Sequence, residues 1–326
     1  MVTEAVLELT EITRRFGDVV ANDGITLRVH PGEVVGLLGH NGAGKTTLVS
    51  QIVGLLKPNK GDIRVKGVDA IAAPASARRC VAIQPQVQAP LDGLTPRAAI
   101  EIAGRLRGMS RRDASRSART LADELDIGEW LDSRATPDGG GISGGIRRLT
   151  AFAMAAVTPV PLVVLDEPTN DVDASRRRRV WNAVRRLGDE GVGVLLVTHN
   201  VAEAERVVDS LVVLDRGRVV AKGSPGQLRE SGDSDLQLTL SLRPEYADPS
   251  DSARDIPIPI ARRVRSGRRV LITLDATNAT DAVTWATALR SSGRIEGFAL
   301  APATLEDTYL AVTAGADAQT KDAADA

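Results

Sequence analysis

Residues able to do chemistry fall in three places. In "GHNGAGKTT", Gly39, Gly44, Lys45 and Thr46 stand as Gly-x-x-x-x-Gly-Lys-Thr. Glycines at that spacing let backbone N–H groups turn inward around phosphate oxygens, the lysine reaches the terminal phosphates, and the threonine hydroxyl ligates magnesium. Asp166 and Glu167 end the apolar run of "LVVLDEPT". One carboxylate there can hold the metal, directly or through water, while the other orients and deprotonates an attacking water. A strand-end acidic pair in solvent is common in any α/β protein, and only the phosphate loop makes this pair notable. His199 closes a further apolar run, "VGVLLVTHN". A strand-end histidine alone is more often a hydrogen-bonded structural residue than a catalytic one.

These residues need elements to hold them. "VVGLL" predicts a buried strand and "TTLVSQIVGLL" a helix, so the phosphate loop has its required strand-to-helix setting. The helix N-terminus adds partial positive charge beside the glycine amides. The runs before Asp166 and His199 are apolar enough for buried strands of a parallel sheet. Ligands collect at the carboxyl ends of such strands, which predicts Gly39, Asp166 and His199 along one edge.

Composition narrows the remaining classes. The chain has 326 residues, 43% hydrophobic and 25% charged, enough for one large or two ordinary domains. A net charge of -1 gives no global reason to expect nucleic acid as a partner. The single Cys80 excludes an internal disulfide framework and suits a reducing compartment. The start "MVTEAVLELTEI" carries no secretory pattern. Runs such as "PVPLVVL" fall far short of the roughly 18 residues of a membrane span.

The order of "GHNGAGKTT", "QPQ", "ISGG", "LVVLDEPT", "NDVD" and "VTHN" resembles the nucleotide-binding subunit of ATP-binding cassette (ABC) transporters, over about residues 7–228. The resemblance implies an α/β P-loop NTPase cassette with a helical subdomain and an antiparallel β subdomain, using ATP and Mg2+. It places Asn41, Gly42 and Thr47 with Gly39, Gly44, Lys45 and Thr46 around ATP, and Phe16 on the adenine. It places Thr46, Gln86 and Asp166 at the metal; Gln84 and Gln88 are nearby competitors for the glutamine. Glu167, His199, Gln86 and Lys45 are implied to be catalytic. Ser143, Gly144 and Gly145, in "GGGISGGIRRL", are implied to cap ATP held by a second copy, and Asp173 to communicate between the two sites. Ile146, where the family usually has a polar residue, either weakens that cap or alters packing.

The cassette is expected over 1–230, with its helical subdomain at about 91–158. Thr95 followed by Pro96 is a helix start, and "RAAIEIAGRLRG" and "ARTLADELDIGEWL" have helical spacing. Between Arg97 and Arg119, seven arginines face two acidic residues, a face for a membrane protein's loops, for anionic lipid or simply for solvent. "SRRRRVWNAVRRL" reads more as a solvated helix face. A polar linker is expected at 231–235, then a small α+β domain at 236–313 for dimerisation or regulation, then a disordered tail at 314–326. "ATLEDTYLAVT" resembles the terminal motif of daunorubicin-resistance-type exporter subunits. With one phosphate loop and one Ser-Gly-Gly loop, the resemblance implies that a complete site needs two chains, and a homodimer with two shared sites is the simplest closure. The resemblance further implies an integral membrane permease as partner, no nucleic acid, a peripheral place on the cytoplasmic face of the membrane, and export of an antibiotic, drug or other hydrophobic compound; the alternative is a soluble ABC ATPase or nucleotide-dependent regulatory protein not coupled to transport.

Overall fold

The computed structural model describes residues 4–136, 141–230, 235–243, 250 and 256–302. Gly139, Gly140, the terminal motif, the tail and all of the expected linker but Asp235 lie outside these. The chain divides into two compact units, Met1–Ser224 and Pro225–Ala326.

The first unit opens with β1 (Leu7–Phe16), β2 (Val19–Val29), β3 (Val34–Leu38), α1 (Lys45–Ile52), β4 (Lys60–Val65), β5 (Val68–Asp69), α2 (Pro74–Arg79) and β6 (Val81–Gln84). It continues with α3 (Pro96–Leu106), α4 (Arg111–Leu125), α5 (Gly144–Ala156), β7 (Leu162–Asp166), α6 (Ala174–Asp189), β8 (Gly193–Thr198), α7 (Val201–Ala204), β9 (Ser210–Asp215) and β10 (Arg218–Gly223). One sheet is antiparallel, in the order β2-β1-β4-β5, and the other runs β10-β9-β3-β8-β7-β6. In the second, β9, β3, β8, β7 and β6 are parallel neighbours. Every residue of β3, β7 and β8 is buried, as strands covered on both faces must be.

Leu48, Val49 and Ile52 of α1 share one core with Leu7, Leu9 and Ile25 of the antiparallel sheet and Leu37, Val164 and Leu195 of the parallel one. The phosphate-loop helix is therefore fastened to both sheets, and its N-terminus can neither tilt nor slide without opening that core. The helical region is α3, α4 and α5. Thr95 accepts from Ala98 N at 3.2 Å with Pro96 in the first turn, and Ser110 caps α4 by accepting from Asp113 N.

The two arginine runs behave differently. On α6, Arg176, Arg177, Arg185 and Arg186 each bond a carboxylate, and Arg176 also stacks 4.6 Å over Trp130. These residues brace α6 instead of forming a free solvated face. On the earlier run, Arg97 grips Asp132 through two bonds, while Arg111, Arg112, Arg116 and Arg119 line an open groove.

The second unit holds α8 (Pro225–Glu230), β11 (Asp235–Leu242), β12 (Arg262–Ser266), β13 (Arg269–Asp275), α9 (Ala279–Ser291) and β14 (Ile295–Pro302). Its antiparallel sheet runs β12-β13-β11-β14 around a core of Leu238, Leu240, Ile272, Leu274, Ala286 and Ile295. β11, β13, α9 and β14 fall on "LQLTLSL", "RRVLITLDA", "ATDAVTWATALRSS" and "RIEGFALA", whose spacing reads as strand, strand, helix and strand. β12 was not legible, because "RRVRS" shows no apolar alternation; it is an edge strand, where charge is favoured over burial. Among the described residues no helix is long and apolar enough to cross a membrane.

Candidate nucleotide site

The phosphate loop runs from the end of β3 into α1. Gly44 has φ 102°, and a Cβ there would strike Ala21 O and Asn22 Nδ2, so only glycine fits. Asn22 Nδ2 donates to Gly44 O at 3.1 Å, and Gln51 Nε2 donates to Asn22 Oδ1 at 2.7 Å. Both amide side chains are buried, making a strap across the first turn of α1. Lys45 is also buried, with Nζ donating to Gly39 O at 2.6 Å and His40 O at 3.0 Å. Burial pulls its ammonium below the ordinary value, while Glu167 and Asp166 hold it up.

Parallel pairing of β3, β8 and β7 brings the carboxylates to the same edge. Burial, and next the Glu167 carboxylate, push Asp166 up to about 6, with Lys45 and Arg148 pulling it down. Glu167 sits at φ 51° with its N donating to Val197 O at 2.8 Å. That left-handed backbone is uncommon for a residue with a side chain, and here the ladder to β8 holds it. Its Oε2 accepts from Thr198 Oγ1 at 3.0 Å, and its Oε1 from His199 N at 3.0 Å. His199 Nδ1 lies 2.7 Å from the same Oε1.

The Asp166 shift has a stability consequence. Unfolded, this carboxyl titrates near 3.8; folded, near about 6, so the fold gains from the proton below the first value and loses that gain as pH rises through the second. Asp166→Asn is therefore expected to raise the melting temperature of the nucleotide- and magnesium-free chain. The gain should be on the order of 1–3 kcal/mol at about pH 8 and smaller at about pH 5. Equal gains at both pH values, measured by thermal melts, would reject the buried-charge cost.

A cleft of about 560 Å³ opens beside these groups, lined by Val19, Val20, Ala21, Asn41, Gly42, Gly44, Lys45, Thr46, Thr47, Gln86, Asp166, Glu167 and Arg216. Of the three glutamines, Gln84 is fully buried with Nε2 on Arg148 O, Gln88 has its Nε2 beside Gly144, and Gln86 lines the cleft. Phe16 does not line it; the ring is 47% exposed at the end of β1, under Arg14 at 4.6 Å. It pairs with Val19, which does line it.

Ser143 caps α5, its Oγ accepting from Ile146 N at 3.3 Å. A Cβ on Gly145 would strike Asp171 O, so this loop lies against the segment before α6. Ile146 is buried, at 3% exposure; its side chain belongs to packing within this chain. Asp173 caps α6, accepting from the backbone N of Ser175 and Arg176. The Arg176 backbone first, and next the Ser175 hydroxyl, hold its carboxyl well below the usual range.

The sequence reading missed several groups. Arg148 of α5 is buried, its Nη1 donating to Pro85 O at 3.0 Å and Gln86 O at 2.7 Å, so it ties the Gln86 loop to the helix that Ser143 begins. Asn22, Gln51, Thr198 and Asp215 were missed as well. No spacing in the sequence announces any of them.

The oxygen donors suit magnesium bound with a nucleotide. Thr46, Gln86 and Asp166 line one cleft, and burial with the Glu167 carboxylate raises the Asp166 carboxyl in spite of Lys45 and Arg148. Among the described residues no cluster of three or more His, Cys, Asp or Glu can hold a metal. One carboxylate beside ligand phosphates is the usual magnesium arrangement.

Comparison with known proteins agrees with this geometry. The ABC transporter family model matches residues 22–170. The chain is 33% identical to the daunorubicin/doxorubicin resistance ATP-binding protein DrrA of Streptomyces peucetius, covering 94% of this chain and 92% of that one. It is 31% identical to a Nod factor export ATP-binding protein I of Cupriavidus metallidurans, over 95% and 97% of the two chains. The solved structure of an ATP-binding subunit of an ABC transporter superposes with a TM-score of 0.64 at 30% identity, covering 70% of this chain and 93% of that one. With the phosphate loop, the carboxylate pair and near full-length likeness all in agreement, the chain belongs to the ABC transporter family, as one of its ATP-binding, ATP-hydrolysing subunits.

Proposed function

We propose that this ATPase powers export through a separate integral membrane permease, working as a pair of identical copies on the cytoplasmic face of the membrane. The observation that carries the pairing is the position of the Ser-Gly-Gly loop. Among the described residues, Ser143, Gly144 and Gly145 do not line the cleft that holds Lys45, Asp166 and Glu167. The N-terminus of α5 is therefore available to an anion presented by a second copy. Asp173, two residues after the Asp171 that lies against this loop, is assigned to the same interface.

ATP with Mg2+ supplies the phosphoryl group and neutralises its charge during transfer to water. Gly39, Asn41, Gly42, Gly44, Lys45, Thr46 and Thr47 hold the phosphates, and Thr46, Asp166 and Gln86 hold the metal. Glu167 orients the attacking water and takes its proton. Thr198 and the His199 backbone keep that carboxylate aimed. The His199 ring donates through Nδ1 to Glu167, and in the imidazolium form its Nε2–H is left to donate to the γ-phosphate. Phe16 stacks on adenine from the edge of the cleft. Arg148 positions the Gln86 loop, so cleft and cap helix move together.

The relatives' names, for daunorubicin/doxorubicin resistance and for Nod factor export, support export of an antibiotic or other hydrophobic compound, with lipid or glycan as the second class.

Solution size of the Glu167→Gln chain, with and without Mg-ATP, tests the pairing. ATP is expected to convert monomer to dimer, and Ser143→Arg to abolish the conversion. A chain that binds ATP yet stays monomeric rejects self-assembly by the ATPase alone.

A further inference from the structure

Among the polar side chains of the phosphate loop, His40 is the one that does not line the cleft. His40 Nε2 lies 2.8 Å from Asp215 Oδ1, and His40 Nδ1 lies 2.7 Å from Asn41 O. A backbone carbonyl only accepts, so Nδ1 carries a hydrogen; an ionised carboxylate also only accepts, so Nε2 needs one too. The pair thus holds one proton more than a neutral imidazole and an ionised carboxylate. That count is the same whether the extra proton resides on the ring or on the carboxyl. The Asp215 side chain is 6% exposed and that of His40 is 49% exposed.

The end of β9 and the turn that follows it meet the loop at three points. Leu214 O lies against Gly39, leaving no room for a Cβ; Asp215 meets His40; and Gly217 N donates to Ala43 O at 3.0 Å. Between the second and third moorings are Asn41 and Gly42, both exposed and both lining the cleft. They form a short bridge that faces the phosphates. Its rear is held by backbone alone, which does not titrate, while its front is held by a protonated pair.

We infer that His40 and Asp215 form a protonated latch that positions the phosphate loop, so that nucleotide affinity falls as this proton is lost. The inference rests on the proposed placement of nucleotide at this loop. The charged groups around His40 are Asp215 on β9, Arg216 in the turn and Lys45 on α1, whose Nζ donates to His40 O at 3.0 Å. Beyond them Asp23 of β2 pairs with Arg218 of β10. Without the proton, the one remaining ring hydrogen stays on Nε2 towards the Asp215 carboxylate, the stronger acceptor, so the Nδ1 lone pair faces Asn41 O and the contact with the bridge itself becomes repulsive. His40 and Asp215 are positioning residues, since neither lines the cleft.

The test is ADP affinity by calorimetry from about pH 6 to about pH 8.5. It compares the unaltered chain with His40→Gln, which keeps a non-titrating donor, and Asp215→Asn. ADP's own titration is common to all three chains, so a difference in slope belongs to the protein. The unaltered chain is expected to lose about two- to fivefold more affinity over that range than either variant, the size of a partly exposed charged pair. His40 is half exposed, so His40→Gln carries the test should Asp215→Asn fail to fold. Identical slopes in the unaltered chain and in His40→Gln overturn the latch while leaving the site intact. Absence of ADP binding by the unaltered chain at every pH overturns the placement of nucleotide, and the latch with it.

Discussion

Glu167→Gln is expected to lower steady-state ATP hydrolysis by a factor of about 10²–10⁴, with ATP still bound. Both Glu167 oxygens are occupied: Oε2 by Thr198 Oγ1, and Oε1 by His199 N and Nδ1. A glutamine can keep its carbonyl towards the two His199 donors and turn its NH2 towards Thr198. The Thr198 hydroxyl rotates to accept, because it is both donor and acceptor. The frame around the site therefore survives, and the loss falls on the proton that an amide cannot take from water. Phosphate release at saturating Mg-ATP and retention of labelled nucleotide are the two measurements. Turnover within about twofold of the unaltered chain would falsify the assignment of Glu167 as base.

Lys45→Ala is expected to weaken ADP and ATP binding by about tenfold or more, with hydrolysis falling further. The lysine is buried, bonded to two loop carbonyls and flanked by Asp166 and Glu167. Its removal takes a donor from the phosphates and a cation from the carboxylates at once. Asp166, already pushed up to about 6, would rise further and compete less well for a metal. Two losses from one ammonium should therefore exceed the cost of either contact alone. Titration calorimetry with ADP separates them, since adding magnesium should recover less affinity in the variant than in the unaltered chain. Unchanged ADP affinity would place the phosphates away from this loop.

Much of the site was legible because its chemistry is local in the chain. Gly39 to Thr47 form one contiguous turn, and together with Val34 to Leu38 ahead of them they announce strand, loop and helix start. The runs before Asp166 and His199 were readable for a similar reason: a strand buried on both faces must be continuously apolar. Choosing among Gln84, Gln86 and Gln88 was another matter. They are two residues apart in a segment that leaves the sheet, and only the exit path of the chain shows that Gln84 is buried and Gln86 lines the cleft. Ile146 was ambiguous for the same reason, because its place on α5 relative to the core depends on how that helix is docked.

By itself the sequence determined the phosphate loop, the carboxylate pair at a strand end, and a following α+β unit. Each rests on contiguous spacing or on periodicity, which the backbone converts directly into a turn, a strand or a helix face. Tertiary structure alone decided which side chains hold the chemical groups still. Glu167 is aimed by Thr198 and His199, residues 31 and 32 positions away, because β7 and β8 are parallel neighbours. Arg148 reaches Gln86 across 62 positions, and His40 reaches Asp215 across 175. A hydrogen bond needs donor and acceptor within about 3 Å; strand order and helix docking set that proximity, and no local pattern encodes either.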